Sequence, residues 1–420
     1  MKKSFTYKYG RAKMTFELPS EQILTEVHIQ DFPKIENLET AVLEAIRQPI
    51  GSKPLREIVQ PGQTVAFICN DPTRVANTHL FLPILVKELN DNGIPDQAMR
   101  IVFALGTHRL MSHDEMVEAV GADLASRLTM YNSDCQDSAQ FDYFGETSFG
   151  TPVYLNKYIT EVDHVICTGS IVHHFFSGFG GGRKAVLPGV AAYETIRKNH
   201  SLMLDPNAIL GKLDGNPVYE DQVEGAKLYP PSFLINVVLD EQKNFLKIFA
   251  GDFIAAHLEA CKFVDQVYGV PVPELADIVI ASCGGYPKDI NIYQLQKTMD
   301  NAWCAVKPGG VVIILGECEE GSGSKTYEDT MLKFPSPEAV EANLRQNFQI
   351  GAHKAYAVTR LMKRADFILV SALDKQLAKQ LLFTAVDSVD EALELAKAKV
   401  GNQPKITLMP QGSLTVPLVK

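Results

Sequence analysis

Short apolar runs alternate with amphipathic stretches along most of the chain. The runs at 64–70 (TVAFICN), 100–106 (RIVFALG) and 164–168 (HVICT) have the length and the β-branched content of buried strands. Helical patterns follow the first two runs, near 78–92 and 112–120. Continuous apolar strands separated by helices are typical of parallel sheets covered on both faces. The pattern therefore predicts an α/β fold.

The two ends of the chain add to this picture. The first twenty residues alternate polar and apolar positions, which predicts a hairpin that turns at Gly10. The segment Gly269–Pro273 (GVPVP) has the composition of a linker, and further strand and helix patterns follow it. We expect two domains, 1–270 and 271–420, each with a largely parallel sheet flanked by helices. The second is expected to be Rossmann-like, with its extreme C-terminus free to return to the first domain.

Composition and charge narrow the class of function. At 420 residues, with 46% hydrophobic and 21% charged residues, the chain is typical of a globular protein of two or three domains. A net charge of -10 argues against a general nucleic-acid binder, and no apolar run is long enough for a membrane helix. The 7 cysteines are scattered and never in CxxC spacing, which favours reduced thiols and the cytoplasm.

The segment 168–200 holds the densest group of reactive residues. It carries His173 and His174, the four-glycine loop at 178–182, Lys184 and His200. It follows the HVICT strand, and ligands of open α/β sheets bind at the carboxyl ends of strands. Glycines let backbone amides approach an anion, and histidines supply proton transfer or metal binding. The spacing fits neither a P-loop, nor a complete GxGxxG motif, nor a standard zinc site.

Two other strands of the same predicted sheet also end in polar residues. TVAFICN is followed by Asp71, Pro72, Thr73 and Arg74, and RIVFALG is followed by Thr107 and His108. Parallel strands end at one edge of a sheet, so these loops are expected to share a site with the His174 loop. Taken singly, each element has a structural alternative. Asp-Pro-Thr is a common turn or N-cap, a histidine is an ordinary loop residue, and His200 suits a helix C-terminus.

In the second predicted domain, a helix near 292–306 begins with polar residues. Gln294 and Lys297 are three residues apart and therefore share a helix face beside Tyr293. An amide and an ammonium group on one face suit a substrate carboxylate. A solvated polar helix face is the alternative.

Together these residues resemble the nickel-dependent lactate racemase family. The resemblance rests on the Asp71–Arg74 element, Gly106–His108, the SIVHHFFSGFGGGRK loop, Asn199–His200, and the Tyr293, Gln294 and Lys297 group. It extends over nearly the whole chain. It implies an isomerase, a racemase or epimerase that inverts C2 of a 2-hydroxy acid.

The resemblance also implies a covalently bound cofactor, the nickel pincer nucleotide. In it, nickel is bound to a pyridinium-3-thioamide-5-thiocarboxylate mononucleotide. Lys184 is implied to attach it through a thioamide, and His200 to bind the nickel. Further cofactor contacts are implied for Asp71, Pro72, Thr73, Arg74, Ser177 and Gly178. Other proteins would make and load the cofactor, and a monomer or homodimer is expected.

By the same resemblance, His108 and His174 are the acid/base pair. Hydride moves reversibly from C2 to the cofactor through a 2-keto acid, and each stereoisomer needs its own base. Substrate contacts are implied for Arg74, Tyr293, Gln294, Lys297 and His353. His353 stands where we align a tryptophan of the lactate enzymes, which favours a larger or more polar 2-hydroxy acid while keeping lactate as a candidate.

The residues alone leave two other functions open. One is a dehydrogenase or lyase that uses a diffusible nucleotide at the glycine loop. Tight binding of NAD and turnover without nickel would favour it. The other is a non-catalytic protein that binds a hydroxy acid on the same scaffold and leaves its chirality unchanged.

Overall fold

The computed structural model describes residues 1–419 and divides the chain into two compact units. One unit consists of residues 32–264, and the other of residues 1–31 together with the chain from residue 265 onward. The division at 264/265 lies close to the predicted boundary near 270. The predicted first domain, 1–270, differs from the structure in its first 31 residues, which belong to the other unit.

The N-terminal segment is a hairpin followed by a short strand. β1 (Lys2–Tyr9) and β2 (Ala12–Pro19) pair antiparallel, and Gly10 at the turn has a φ of 50°. After a 3-10 turn at Ser20–Gln22 comes β3 (Ile23–Glu26). One face of the hairpin carries buried aromatic rings that need a core to cover them. They pack with apolar residues of the chain beyond residue 277, which explains the placement of this segment.

The unit of residues 32–264 contains ten strands and nine helices, and the ninth helix continues past residue 264 to Tyr268. The strands are β4 (Val65–Asn70), β5 (Met99–Ala104), β6 (Thr129–Asn132), β7 (Phe141–Glu146), β8 (Pro152–Asn156), β9 (His164–Ser170), β10 (His173–His174), β11 (Gly178–Phe179), β12 (Phe233–Leu239) and β13 (Phe245–Gly251). The helices are α1 (Leu38–Arg47), α2 (Leu55–Ile58), α3 (Thr78–Asp91), α4 (His113–Val120), α5 (Ala122–Arg127), α6 (Lys157–Thr160), α7 (Tyr193–Ser201), α8 (Pro217–Leu228) and α9 (Ala255–Tyr268). Short 3-10 turns occupy 96–98, 138–140, 182–185 and 202–204.

Six of these strands form one sheet in the order β13-β12-β9-β4-β5-β6. All neighbours are parallel except β12 and β13, which are antiparallel. The chain starts in the middle at β4, runs outward to β6, and then returns to β9 on the other side. The order therefore reverses between β4 and β9, and such a switch point is where open α/β sheets bind ligands.

The second unit is built in the same way. Its remaining strands are β14 (Gly269–Val272), β15 (Ala276–Ser282), β16 (Val306–Leu315), β17 (Asp366–Val370), β18 (Thr384–Val386), β19 (Ile406–Met409) and β20 (Val416–Val419). Its helices are α10 (Ile292–Trp303), α11 (Lys325–Lys333), α12 (Pro337–Gln346), α13 (His353–Met362), α14 (Lys375–Gln380) and α15 (Val389–Val400).

The main sheet of this unit is fully parallel, in the order β18-β17-β16-β15-β19-β3. The largely parallel, helix-flanked architecture predicted for both halves is confirmed. The predicted linker at Gly269–Pro273 is wrong, because its first four residues form β14 and pair with β20. That pairing also keeps the C-terminal strand in its own unit rather than returning it to residues 32–264.

Two further expectations concern cysteines and membranes. All 7 cysteines are free thiols, and Cys304 alone among them is not fully buried. Within residues 1–419, no helix combines the length and the apolar character needed to cross a bilayer.

The placement of the hairpin can be tested with the single tryptophan, Trp303, which lies in α10 of the same unit. Phe16→Ala removes a ring that is 5% exposed, and we expect it to lower the free energy of unfolding seen by Trp303 fluorescence in urea by about 3–5 kcal/mol. Phe81→Ala is the control, because Phe81 is equally buried but lies in the core of the unit 32–264. A larger shift of the Trp303 midpoint from Phe81→Ala than from Phe16→Ala would contradict the assignment.

Candidate active site

The carboxyl ends of three adjacent strands carry the predicted site residues of the unit 32–264. β9, β4 and β5 are neighbours in the sheet. Asp71 follows β4, His108 follows β5, and the loop that begins at Ile171 follows β9. The amide of Gly106 donates to the carbonyl of Gly189 (3.0 Å), which ties the end of β5 to the end of the glycine loop. The structure thus brings these loops together.

Asp71 and His108 form a hydrogen-bonded pair. The Nδ1 atom of His108 lies 2.8 Å from Oδ2 of Asp71, which is buried, while the His108 side chain is 42% exposed. Burial alone would raise the pKa of Asp71, but hydrogen bonds from His108 and Thr73 outweigh it and hold the pKa below its ordinary value. The carboxylate is ionised at neutral pH and accepts from Nδ1–H, so it leaves Nε2 of His108 as the basic nitrogen.

The rest of the Asp71–Arg74 element is an exposed turn. The amide of Thr73 donates to Oδ1 of Asp71 (2.6 Å), and the amide of Arg74 donates to its carbonyl (3.1 Å). Pro72, Thr73 and Arg74 are exposed. The guanidinium of Arg74 contributes to lowering the pKa of both His174 and Lys184, so its charge acts on the same region.

The ring of Phe176 is shared by three predicted site residues. The ring of His174 lies 4.6 Å from it, the ring of His200 lies 5.2 Å from it, and Nζ of Lys184 lies 5.6 Å from its centroid. His174 and Lys184 come from the loop after β9, while His200 comes from the last turn of α7. The structure therefore gathers the predicted base, the predicted attachment lysine and the predicted nickel ligand around one aromatic ring.

Burial and positive neighbours control the charges of this group. The pKa of Lys184 lies well below its ordinary value because the amine is desolvated and lies near Arg183 and Arg74. The pKa of His174 is also well below its ordinary value, through desolvation and then the charges of Lys184 and Arg74. Both side chains are therefore held toward their neutral forms.

The glycines of the loop have packing reasons of their own. A Cβ on Gly178 would lie 2.2 Å from the carbonyl oxygen of Lys212, one on Gly181 would lie 2.6 Å from Ile171, and one on Gly182 would lie 2.5 Å from His257. All three glycines have positive φ angles. The amide of Gly182 donates to Oδ1 of Asn236. These glycines therefore make room for neighbouring protein groups, and the amide of Gly182 is used within the protein. That the loop offers backbone amides to an anion stays a prediction.

The amide, hydroxyl and carbonyl of Ser177 all form hydrogen bonds with other protein groups. Its hydroxyl donates to Oε1 of Gln222 (2.7 Å) and accepts from Arg183 (2.9 Å). Its amide donates to Nδ1 of His174 (3.3 Å), and its carbonyl accepts from Arg183 (2.7 Å). The side chain is fully buried. Ser177 therefore supports the loop, which differs from the direct cofactor contact predicted for it.

Arg183 and His257 were not singled out from the sequence. Arg183 is 1% exposed, lies 4.6 Å from the ring of Tyr219, and has Nη1 3.0 Å from Nε2 of His257. Burial lowers its pKa to about 10, and burial together with Arg183 lowers the pKa of His257 to about 3, so the imidazole is neutral. A basic residue between glycine and lysine carries no sequence signal for burial, and His257 lies in a helix remote along the chain.

A second buried polar group lies between α7 and α8. Asn199 donates to Oδ2 of Asp221 (2.7 Å), and Gln222 donates to Oδ1 of Asn199 (3.2 Å). Asp221 also accepts from Thr147 and from Thr151 (2.9 Å). Burial raises the pKa of Asp221 in spite of these hydrogen bonds. These residues hold the helix that carries His200.

In the second unit, the structure places the predicted substrate residues near the starts of α10 and α13. Tyr293 is 39% exposed, and Gln294 and Lys297 are exposed beside it on α10. His353 begins α13, and Nζ of its neighbour Lys354 lies 4.1 Å from the centroid of the Tyr293 ring. The four predicted residues of this unit are thus brought to adjoining helix ends.

Beneath them lies a charged network that the sequence did not reveal. Lys354 is 8% exposed and donates to Gln296, which in turn contacts Asp300. Asp300 accepts from Arg360 (3.0 Å), and burial raises its pKa against the effect of the two cations. Burial and the charge of Lys354 lower the pKa of His353 to about 4, so His353 is neutral near pH 7.

Comparison with protein families identifies both halves of the chain. Residues 9–211 match the lactate racemase N-terminal domain, and residues 272–416 match the lactate racemase C-terminal domain. The lactate racemase of Thermoanaerobacterium thermosaccharolyticum is 32% identical over 413 residues, 96% of each chain. The lactate racemase of Lactiplantibacillus plantarum is 35% identical over 389 residues, 90% of each chain.

Solved structures agree with this. The lactate racemase apoprotein of T. thermosaccharolyticum superposes with a TM-score of 0.90 at 32% identity, over 99% of this chain and 100% of that one. A protein from Thermotoga maritima shares the fold, with a TM-score of 0.66 at 16% identity over 93% of this chain and 100% of that one. The chain therefore belongs to the lactate racemase family, and its relatives have the enzyme class predicted from the sequence, an isomerase.

Proposed function

We propose that this protein inverts the configuration at C2 of a 2-hydroxy acid by means of a covalently bound nickel pincer nucleotide. The observation that carries the proposal is the grouping of Lys184, His174 and His200 around Phe176, beside the Asp71–His108 pair. Membership of the lactate racemase family supports the racemase reaction.

The side chains fit the implied cofactor in two respects. A neutral amine is the nucleophilic form of lysine, and the desolvated Lys184 is biased toward it. Within residues 1–419, no three His, Cys, Asp or Glu side chains are grouped as metal ligands. A nickel ion at His200 would accordingly depend on donors from the nucleotide. When bound, the cofactor supplies a reversible hydride acceptor.

The protein's own part in the reaction is proton transfer. In the proposal, Nε2 of His108 takes the hydroxyl proton of one stereoisomer, while Asp71 orients the ring and stabilises its protonated form. His174 takes the proton of the other stereoisomer. Its depressed pKa keeps it neutral at neutral pH, and its one lone pair, on Nδ1, accepts from the amide of Ser177 (3.3 Å), so in the proposal this bond gives way when His174 takes the proton.

Charged groups would hold the rest of the substrate. Arg74 is exposed and acts electrostatically on His174 and Lys184, so it suits the oxygen of a 2-keto acid. Gln294 and Lys297 on α10 suit the carboxylate, with Tyr293 beside them. Holding the carboxylate while C2 changes face is the positioning requirement of a racemase.

The neutral His353 suggests a substrate other than lactate. An imidazole that is neutral at pH 7 both donates and accepts hydrogen bonds, unlike a tryptophan ring. Lys354 adds a positive charge next to Tyr293. We propose a larger or more polar 2-hydroxy acid, such as a dicarboxylate or a sugar acid. The protein is proposed to work in the cytoplasm as a monomer or homodimer, together with cofactor-making and loading proteins.

The direct test is a chirality screen on protein coexpressed with cofactor-making enzymes. Single enantiomers of lactate, malate, 2-hydroxyglutarate and phenyllactate, and gluconate, are incubated with it and separated by stereoisomer. We expect inversion of one of the polar acids, an added mass on Lys184, and bound nickel. A coexpressed preparation with neither adduct nor nickel would contradict the cofactor assignment. Ligand binding without inversion would favour a non-catalytic protein.

The two proposed bases can be separated from cofactor loading. His108→Ala and His174→Ala should each slow inversion by about 100- to 10,000-fold while keeping the adduct and the nickel. Lys184→Ala should lose adduct, nickel and activity together. His164→Ala is the matched control, because His164 begins β9 at the opposite edge of the sheet. Near-normal inversion by either base variant would refute the two-base assignment.

The depressed pKa of Lys184 predicts a pH-dependent effect on apoprotein stability. Between the folded pKa and the unfolded value of about 10.4, the unfolded chain binds more protons, so burying this amine costs stability that is recovered as pH rises. Lys184→Met should therefore raise the free energy of unfolding at pH 7, and the gain should shrink toward about pH 10.4. Urea unfolding across this range measures it, with the exposed Lys227→Met as control. A gain that does not change with pH would argue against the shift.

The specificity proposal is tested by restoring the aromatic side chain. His353→Trp should raise the ratio of kcat/KM for lactate to that for the preferred polar acid by about tenfold or more, because the ring fills space and removes hydrogen bonds. His28→Trp makes the same change at an exposed position of the same unit and should leave the ratio unaltered. An unchanged ratio in His353→Trp would place His353 outside the substrate pocket.

A further inference from the structure

The two residues proposed to hold the cofactor lie on different elements of the unit 32–264. Lys184 is in the 3-10 turn at Gly182–Ala185, and His200 is in the last turn of α7. Each follows directly after a buried polar residue. Arg183 is 1% exposed, and Asn199 is fully buried.

A continuous series of side-chain hydrogen bonds joins these two buried neighbours. Nη2 of Arg183 donates to Oγ of Ser177 (2.9 Å), which donates to Oε1 of Gln222 (2.7 Å). Nε2 of Gln222 then donates to Oδ1 of Asn199 (3.2 Å). Ser177 and Gln222 are themselves fully buried, so water does not compete for these bonds.

The direction of every bond in the series is determined by its ends. A guanidinium only donates, so the single proton of the Ser177 hydroxyl must point onward to Gln222. The amide of Gln222 then presents its N–H to Asn199, whose own N–H is donated to Oδ2 of Asp221 (2.7 Å). The cation at one end and the carboxylate at the other therefore favour one arrangement of the groups between them.

Each end of the series also has an anchor of its own. Arg183 is bonded to the carbonyl of Ser177 (2.7 Å) and lies 3.0 Å from His257. Asn199 donates to the carbonyl of Val218 (3.2 Å) as well as to Asp221. Loss of Gln222 would therefore leave the turn and α7 individually supported while removing the side-chain link between them.

We infer that Gln222 is a positioning residue that sets the separation between Lys184 and His200. The inference rests on the proposed function, in which both residues hold one cofactor. A covalent bond to a long lysine side chain tolerates a small displacement, whereas metal ligation requires donor distances within about 0.2 Å of their preferred values. Disturbing Gln222 should therefore affect nickel retention more than attachment.

The test is Gln222→Leu, prepared by coexpression with cofactor-making enzymes alongside wild type. Intact mass gives the fraction of protein with an adduct on Lys184, and elemental analysis gives nickel per adduct. We expect the adduct fraction to stay within about twofold of wild type and nickel per adduct to fall tenfold or more. Gln222→Met, which is unbranched, gives a second variant of similar length and should behave in the same way.

Gln22→Leu is the matched control. Gln22 is a glutamine of the other unit, 6% exposed, that donates to the carbonyl of Asn402 (3.0 Å). Its loss makes the same chemical change in a buried place, and both the adduct fraction and the nickel per adduct should match wild type. A fall in nickel per adduct in this control would overturn the assignment to Gln222.

The apoprotein provides a readout that needs no cofactor. The ring of Phe176 lies 5.2 Å from that of His200, so the ring protons of His200 sense its position. In NMR spectra of histidine-labelled protein, with the His200 signal assigned from His200→Gln, we expect a shift in Gln222→Leu and none in Gln22→Leu.

The outcomes separate the inference from the proposed function. Wild type without adduct would overturn the proposed function, while the His200 signal still reports whether Gln222 positions that ring. Normal nickel per adduct in both Gln222 variants would overturn the inference alone. An unmoved His200 signal would do the same, and so would an equal loss of adduct and nickel in folded protein.

Discussion

Two adjacent basic residues that are withdrawn from water determine what the rest of this site must provide. Arg183 is 1% exposed, and the amine of Lys184 beside it is desolvated enough to lower its pKa strongly. Neutral groups contact the two Nη atoms of Arg183, namely the hydroxyl and carbonyl of Ser177 and the imidazole of His257, while its buried Nε has no hydrogen-bond partner among the described residues. Because Arg183 keeps its charge, the lysine gives up its proton more easily. Desolvation, and then this neighbouring cation, thus hold Lys184 toward its neutral form.

Local sequence patterns were sufficient to predict the main sheet of the unit 32–264 and the loops that follow its strands. Apolar runs predicted the strands β4, β5 and β9. The polar residues after these strands predicted a shared site that contains Asp71, His108 and the His174 loop. Nothing local marked Arg183 or His257 as buried partners, since their contact joins residues 74 positions apart. The glycines were noticed, but the crowding that requires them could not be predicted, because Lys212 and His257 come from distant segments.

In the second unit too, local patterns predicted the exposed residues but not the contacts between distant segments. The spacing of Gln294 and Lys297 was enough to predict a shared polar helix face on α10. The network of Lys354, Gln296, Asp300 and Arg360 beneath it joins α10 to α13, and charged residues in an amphipathic helix usually face water. Burial lowers the pKa of His353, and the charge of Lys354 in this network lowers it further.

The strand β3 has a consequence for how the chain is made. It pairs with β19, with Ile23 opposite Ile406, so this strand is synthesised long before its partner. Residues 32–264 have their strands and core complete long before that point. During synthesis the N-terminal hairpin must wait with its aromatic face uncovered, and contacts of such long sequence separation form slowly. The newly made chain therefore has a period in which this uncovered apolar face is prone to aggregation.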